Sequence, residues 1–351
     1  MTTRFLDALE LELQQLEDRY QLDTLFLGGG TPSHLSIDEL DRLGRLIRAH
    51  FELETAPVDA ATEVTAECNP SDLSIDKAQA LAGLGVNRIS LGVQSMNSGK
   101  LATLERDHSA TVVQQAVETA RQFVGSVSLD LIFAAPNETF ENWKHDLEQA
   151  IQLNPDHIST YELTFEKGTQ FWNRLRRSEL VEADQNLRAD MYEYAIERLE
   201  SHGLMQYEVS SFARAGHRCR HNETYWSGDP YFAFGPGASR FIEGRRETNH
   251  RGFMQYLKRI EAGESPVAES EELNPDDAAL ERLIIGLRRI DGVDKADFHR
   301  RTGRRIGEMN QALIRELIEN ELASESEQRI WLTRRGLMVS DWIASRFLET
   351  A

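Results

Sequence analysis

The chain has 351 residues, of which 40% are hydrophobic and 28% charged, a balance that supports one large core with a smaller satellite domain and excludes a disordered chain. Asp and Glu number 58 against 39 Lys and Arg, and the net charge of −19 repels nucleic acid and anionic membrane surfaces unless a local patch reverses it. Two cysteines, Cys68 and Cys219, are too few for a disulfide framework or a tetrahedral thiolate site, which points to a reducing compartment, the cytoplasm by default.

Phe5, Leu9, Leu13, Leu16 and Tyr20 recur at helical spacing among acidic residues and predict an amphipathic helix over 4–19, which is neither a signal nor a transit peptide. No apolar run approaches membrane-spanning length. From residue 24 to about 210, short β-branched or apolar runs alternate with longer amphipathic segments, the pattern of βα units around a parallel sheet. Strands are predicted at 24–27, 63–67, 88–93, 127–133, 157–163 and 206–209. Helices are predicted at 37–50, 75–84, 111–123, 140–153 and 183–202, the first opened by a capping box of Ser36 and Glu39. The opening helix has no strand before it, whereas each later helix follows one, so the array reads as an open barrel lacking its first strand.

Residues 215–266 are rich in Gly, His and aromatic residues without clean periodicity and read as ordered loops and short strands. Beyond them the spacing predicts helices at 276–288, 295–302 and 306–320, a hairpin over 322–332 and a last helix at 335–348, the order of a winged-helix domain. The expected division is 1–214, 215–266 and 267–351. Arg300, Arg301, Arg304 and Arg305 cluster in the last region, but the region stays net negative and they read as a solvated face.

In a parallel barrel, polar residues at the carboxyl ends of the strands converge on one mouth. Gly28-Gly29-Gly30-Thr31-Pro32 follows the first predicted strand, Glu67-Cys68-Asn69-Pro70 the second and Gln94-Ser95 the third, while Asp130 interrupts the apolar fourth. Successive glycines let a backbone approach a ligand and present N–H groups to an anion, although alone they would read as an ordinary tight turn. Glu67 reads equally as an acceptor for an ammonium or hydroxyl and as a solvated loop residue. Asp130 within Val127-Ser128-Leu129-Asp130-Leu131-Ile132-Phe133 requires a polar cavity or a buried ion pair. Gln94 suits a ligand amide or ribose or a helix cap, and Arg106 a ligand carboxylate or the surface. His221 and Tyr225 stand four residues apart, on one face if the stretch is helical, and a neutral imidazole is a good axial ligand for heme iron, with a structural histidine as the alternative. Nothing near Cys219 and His221 completes a zinc site, so no metal site is expected.

Gly28-Gly29-Gly30-Thr31-Pro32-Ser33, Glu67-Cys68-Asn69-Pro70, Asn87 to Ser95 and Leu129-Asp130-Leu131-Ile132, in this order, resemble the radical S-adenosylmethionine family of oxygen-independent coproporphyrinogen III oxidases. His221-Asn222, Tyr225-Trp226 and Phe234-Gly235-Pro236-Gly237-Ala238 resemble its heme chaperone branch more than the decarboxylating oxidase. The resemblance implies an α/β fold, a partial, open (β/α)6 barrel of radical SAM type missing its first strand, plus a C-terminal winged-helix-like domain. It implies that Gly29, Gly30, Thr31, Glu67, Gln94, Arg106 and Asp130 line an S-adenosylmethionine pocket and that His221 ligates heme. It also implies a [4Fe-4S] cluster on a C-x-x-x-C-x-x-C loop, for which this chain has no match; a misplaced start or a real loss would each explain the missing strand and cysteines together.

Without that cluster the chain as written is not expected to generate a 5′-deoxyadenosyl radical, so whether it is an enzyme is left open. The leading expectation is a cytoplasmic heme chaperone that delivers heme to acceptor proteins. The alternatives are a coproporphyrinogen III dehydrogenase of porphyrin biosynthesis and a ligand-sensing winged-helix regulator, the latter disfavoured by charge.

Overall fold

A computed structural model describes residues 1–54 and 61–349. The chain groups into two units: Thr24–Asp41 with Thr62–Arg218, and Met1–Asp23 with Arg42–Ala61 and Cys219–Ala351.

In the sheet-bearing unit, Thr24–Leu27, Glu63–Cys68, Arg88–Gln94, Ser126–Phe133 and His157–Glu162 pair in chain order as five parallel strands. Helices Ile75–Leu84, Ala110–Ala120 and Phe140–Gln152 follow successive strands, with Ser74, Ser109 and Thr139 accepting backbone N–H bonds at their N-caps. Their buried faces, including Leu81, Val113, Val117, Trp143 and Leu147, supply apolar cover for Ile89, Leu91, Val127 and Leu129. The Ser36 and Glu39 capping box forms in both directions.

The sheet is open, with Thr24–Leu27 at one edge and Met205–Gln206 at the other. Its far side departs from expectation. In place of a sixth parallel strand over 206–209, Ser211–Ala213 runs antiparallel to His157–Glu162 and Met205–Gln206 pairs antiparallel with it. Met205–Gln206, reached through helix Gln185–Ser201, keeps the direction of the parallel strands, but the chain then reverses within four residues and Ser211–Ala213 takes the place beside His157–Glu162.

In the other unit the opening helix is shorter than its periodicity suggested, Thr2–Leu13, and Tyr20 lies in a strand, Tyr20–Leu22, parallel to Phe51–Leu53. Ala8 packs with Tyr256, Leu257 and Ile260 of helix Phe253–Glu261, with Phe5 and Phe253 at the margin. Glu12 is buried and accepts hydrogen bonds from Gly235 N (2.9 Å), Asn249 Nδ2 (2.7 Å) and the Tyr256 hydroxyl (2.7 Å). These bonds explain why the opening helix groups with the C-terminal half rather than with the sheet, as a 1–214 domain would have had it.

Strands Ser239–Ile242, Arg245–Asn249 and Val267–Glu272 form an antiparallel sheet, the first two joined through Glu243 and Gly244, both at positive φ. The C-terminal part holds helices Pro275–Gly286, Lys295–Thr302 and Gln311–Glu319 and a three-stranded sheet of Val293–Asp294, Arg329–Leu332 and Ala323–Glu325. This is the winged-helix-like order expected, with two breaks: the 306–320 helix divides at Asn310 and the last helix at Val339. Arg300, Arg301 and Arg304 each meet a carboxylate, Asp297, Asp229 and Asp276 respectively.

Candidate functional site

Strand alternation gives the parallel sheet one apolar and one polar face. Val64, Ala66 and Cys68, Ile89 and Leu91, and Val127 and Leu129 occupy the first. On the second, Glu67 is registered with Ser90, Ser90 with Ser128, Ser128 with His157, and Asp130 with Ser159. Glu67, Ser90 and Asp130, near the carboxyl ends, are half-buried; Arg88, Ser126, Ser128 and His157, toward the amino ends, are buried.

Glu67 and Asp130 form the chemical centre. Glu67 Oε2 accepts from Gly29 N at 3.2 Å, and Asp130 Oδ2 accepts from Ser90 Oγ at 2.9 Å. Burial and the neighbouring Asp130 push the Glu67 carboxyl up to about 7, against the pull of the Gly29 N–H. Burial pushes Asp130 up to about 6, opposed by hydrogen bonds from Ser90 and Ser159 and by Arg88. Neither carboxylate makes an ion pair among the described residues.

The glycine loop is shaped by close approach. A Cβ on Gly28 would stand 2.3 Å from Phe26 Cε1 and 2.8 Å from Glu67 Cδ, so the backbone can lie against Glu67 only if residue 28 has no side chain. Gly29 takes φ +73°, and Gly28 to Gly30 are exposed. Beyond them Ser33 is fully buried: its Oγ accepts from Asn69 N (3.1 Å), and its carbonyl accepts from Lys77 Nζ. The turns after the first and second strands are thereby tied together.

Gln94 ends the third strand at an irregularity in register, with φ +63°. Asp146 on helix Phe140–Gln152 fixes the chain just beyond it, accepting from Ser95 Oγ (2.6 Å), Met96 N (2.8 Å) and Lys100 Nζ (3.1 Å). Arg106 is exposed, and its side chain makes no hydrogen bond or ion pair among the described residues. The structure therefore joins Gly29, Glu67 and Asp130 through bonds and neighbours, sets Gln94 on the adjacent strand end, and leaves Gly30, Thr31 and Arg106 without a side-chain tie to them.

Sequence reasoning missed the floor of this polar face. Arg88 bonds Glu63 (3.3 Å) and the carbonyls of His217 (2.6 Å) and Arg218 (2.9 Å). His157 bonds Ser128 Oγ (2.7 Å) and the Tyr207 hydroxyl (2.9 Å), and burial, with Arg88 and His217 nearby, holds it well below the usual imidazole range and hence neutral. The signal was available in the period-two spacing of Arg88 and Ser90, Ser126, Ser128 and Asp130, and His157 and Ser159.

His221 belongs to the other unit. Helix Arg220–Trp226 places it one turn before Tyr225, whose hydroxyl is 2.7 Å from His221 Nε2, with the rings edge to face at 4.9 Å. Tyr225 meets Tyr231 edge to face at 4.7 Å, and burial with Tyr231 close by pushes its phenol up to about 12. The end of this helix is clamped by Pro275–Gly286 and the turn after it. Arg282 donates to the Ser227 and Gly228 carbonyls, Arg289 donates to Ser227 Oγ (3.2 Å), and the Arg288 guanidinium lies 5.0 Å from the Trp226 ring centre.

The cysteines do not fit an iron–sulfur cluster. Both are buried and neither is in a disulfide; burial pushes the Cys68 thiol up to about 12, whereas cluster ligation requires thiolate. Among the described residues no group of three or more His, Cys, Asp or Glu could hold a metal ion. The residue types around Gly29 suit S-adenosylmethionine: two half-buried carboxylates, Glu67 and Asp130, without an ion pair among the described residues, and an exposed glycine backbone.

The model of the Radical SAM superfamily matches residues 2–150, and that of the HemN C-terminal domain matches 273–339. Coproporphyrinogen III oxidase (HemN) from Escherichia coli shares the fold over 99% of this chain and 83% of its own, with a TM-score of 0.85 at 21% identity. Sheet, polar face and C-terminal domain thus define a radical SAM protein of HemN-like architecture. The heme chaperone HemW of Bacillus subtilis is 34% identical over 98% of this chain and 91% of its own length, and HemW of Escherichia coli is 37% identical over 70% and 66%. The chain belongs to the HemW family.

Proposed function

We propose that this chain is a heme chaperone that binds heme through His221 and passes it to an acceptor protein. The observation that carries the reading is the His221 imidazole on a short helix beside Tyr225 and Tyr231, half-buried and clamped by Arg282. An imidazole supplies an axial ligand to heme iron, and the two phenol rings supply apolar surface for a porphyrin. A carrier must also release its cargo, which suits one axial ligand on a partly open surface. Among the described residues no helix is long and apolar enough to cross a membrane, and the two-cysteine composition favours a cytoplasmic setting.

In the same proposal, Gly29, Gly30, Thr31, Glu67, Gln94, Arg106 and Asp130 line an S-adenosylmethionine pocket. The Gly29 backbone and Arg106 suit its carboxylate, the carboxylates of Glu67 and Asp130 its ammonium and sulfonium charges, and the Gln94 amide its ribose or adenine. The two buried cysteines of this chain do not fit a cluster. S-adenosylmethionine here is a ligand held at the mouth of the sheet.

The function is tested by loading the purified chain with hemin and mixing it with an apo heme protein. The expected result is a Soret band of the loaded chain that moves to the acceptor's position within minutes, while His221→Ala takes up too little hemin to transfer. Hemin retained indefinitely by the unaltered chain, or equal uptake and transfer by His221→Ala, would contradict the proposal.

A further inference from the structure

The His221 to Tyr225 contact poses a chemical conflict. A metal–imidazole nitrogen bond is about 2 Å long, and the Tyr225 hydroxyl stands 2.7 Å from the same nitrogen, Nε2. Iron and phenol cannot hold that nitrogen together. The contact is not an accident of two loose side chains. Residues 221 and 225 are one helical turn apart, the Tyr225 ring is braced edge to face by Tyr231, and Tyr231 pairs its backbone with Phe241 in both directions (2.8 and 3.0 Å). The turn between Tyr225 and Tyr231 is pinned by Arg282 at Ser227 and Gly228, the latter at φ +62°.

We infer that Tyr225 is a latch on His221: its hydroxyl occupies Nε2 in the heme-free protein and must leave before heme iron is ligated there, so that it re-forms as heme departs. This rests on the reading of His221 as the heme ligand and adds how that ligand is kept closed. Tyr225 is a positioning residue and not itself a ligand; its hydroxyl acts through the 2.7 Å contact with the imidazole nitrogen that it covers. The hydroxyl serves release as well as masking. Each time the iron bond breaks, a hydrogen bond is ready to form in its place, which lowers the cost of giving up the cargo without altering the rest of the pocket.

Removing only the hydroxyl, Tyr225→Phe, keeps the ring and its contact with Tyr231. The experiment titrates wild type, Tyr225→Phe, His221→Ala and the double variant with hemin, reading Soret position and affinity, and follows the His221 ring by 15N NMR without hemin. The latch predicts that Tyr225→Phe binds hemin roughly three- to tenfold more tightly with the wild-type Soret position, releases it more slowly, and changes the 15N shift of Nε2 in the heme-free protein. The double variant then binds as poorly as His221→Ala. Equal or weaker binding by Tyr225→Phe, while His221→Ala still loses hemin, overturns the latch and leaves His221 as ligand. A changed Soret band in Tyr225→Phe also overturns it, because Tyr225 would then be a ligand. Undiminished binding by His221→Ala overturns the ligand reading itself.

Discussion

Two carboxylate pairs in the sheet-bearing unit are built in opposite ways. Asp146 and Glu138 share the buried Lys100: Asp146 lies 3.1 Å from its Nζ and also accepts from Ser95 and Met96, while Glu138 accepts from Lys100 and from Ala135 N. Every strong acceptor there has a donor, and a lysine pairs with both carboxylates. Glu67 and Asp130 have neither advantage; they face each other's charge with only neutral donors, Gly29, Ser90 and Ser159, in contact. The first arrangement holds a loop in place. The second leaves like charge uncompensated where a cationic ligand would relieve it, the difference on which the proposed binding site rests.

The comparison is broken most severely by Asp146→Ala, which leaves Lys100 with one partner and frees Ser95 and Met96. A loss of about 3–5 kcal/mol is expected, read from urea unfolding. At the other pair the expectation reverses. Asp130→Asn removes one of two like charges and should change stability by less than about 1 kcal/mol while weakening S-adenosylmethionine binding roughly tenfold or more, measured by calorimetry. Equal destabilisation by the two substitutions would erase the distinction. Gly28→Ala falls between them: its Cβ meets the Phe26 ring and the Glu67 carboxyl, for a cost of about 1–3 kcal/mol with loss of ligand binding.

The smallest effect is on pH dependence. With Glu67 near 7 and Asp130 near 6, the folded chain holds protons in mildly acidic solution that the unfolded chain has released. Their contribution to stability is therefore complete below the ordinary carboxylate range and declines as pH rises through 6 to 7. A cationic ligand has the opposite preference, since it favours the ionised pair. Binding of S-adenosylmethionine should strengthen between about pH 5.5 and about pH 8, and Glu67→Gln should flatten that rise. A pH-independent affinity in the unaltered protein would count against the ligand contact.

Much of the sheet was legible because its strands are short apolar runs bounded by turn residues; the first strand and helices 37–50 and 75–84 have the expected bounds. The errors fall where local pattern competes with tertiary partners. Tyr20 fits a helical stripe but pairs with Phe51 and packs on Phe232 at 4.8 Å. Helix Phe253–Glu261 went unseen because its buried residues, Tyr256, Leu257 and Ile260, are few and follow a Gly-rich stretch. Asp130 stood out as a lone carboxylate in an apolar run. Its neighbours Ser90 and Ser159 did not, since a serine in a strand carries no signal until register sets it opposite a carboxylate. Likewise, spacing put His221 and Tyr225 on one face, but only the structure gave the bond between them.

The central claim, that His221 is the point at which this chain holds heme, is tested most directly by hemin titration of the purified protein and its His221→Ala variant, followed at the Soret band. The account predicts saturable binding of one hemin per chain in the unaltered protein and its loss in the variant, with the same urea unfolding midpoint for both. Binding of equal strength and identical spectrum in the two proteins would contradict it.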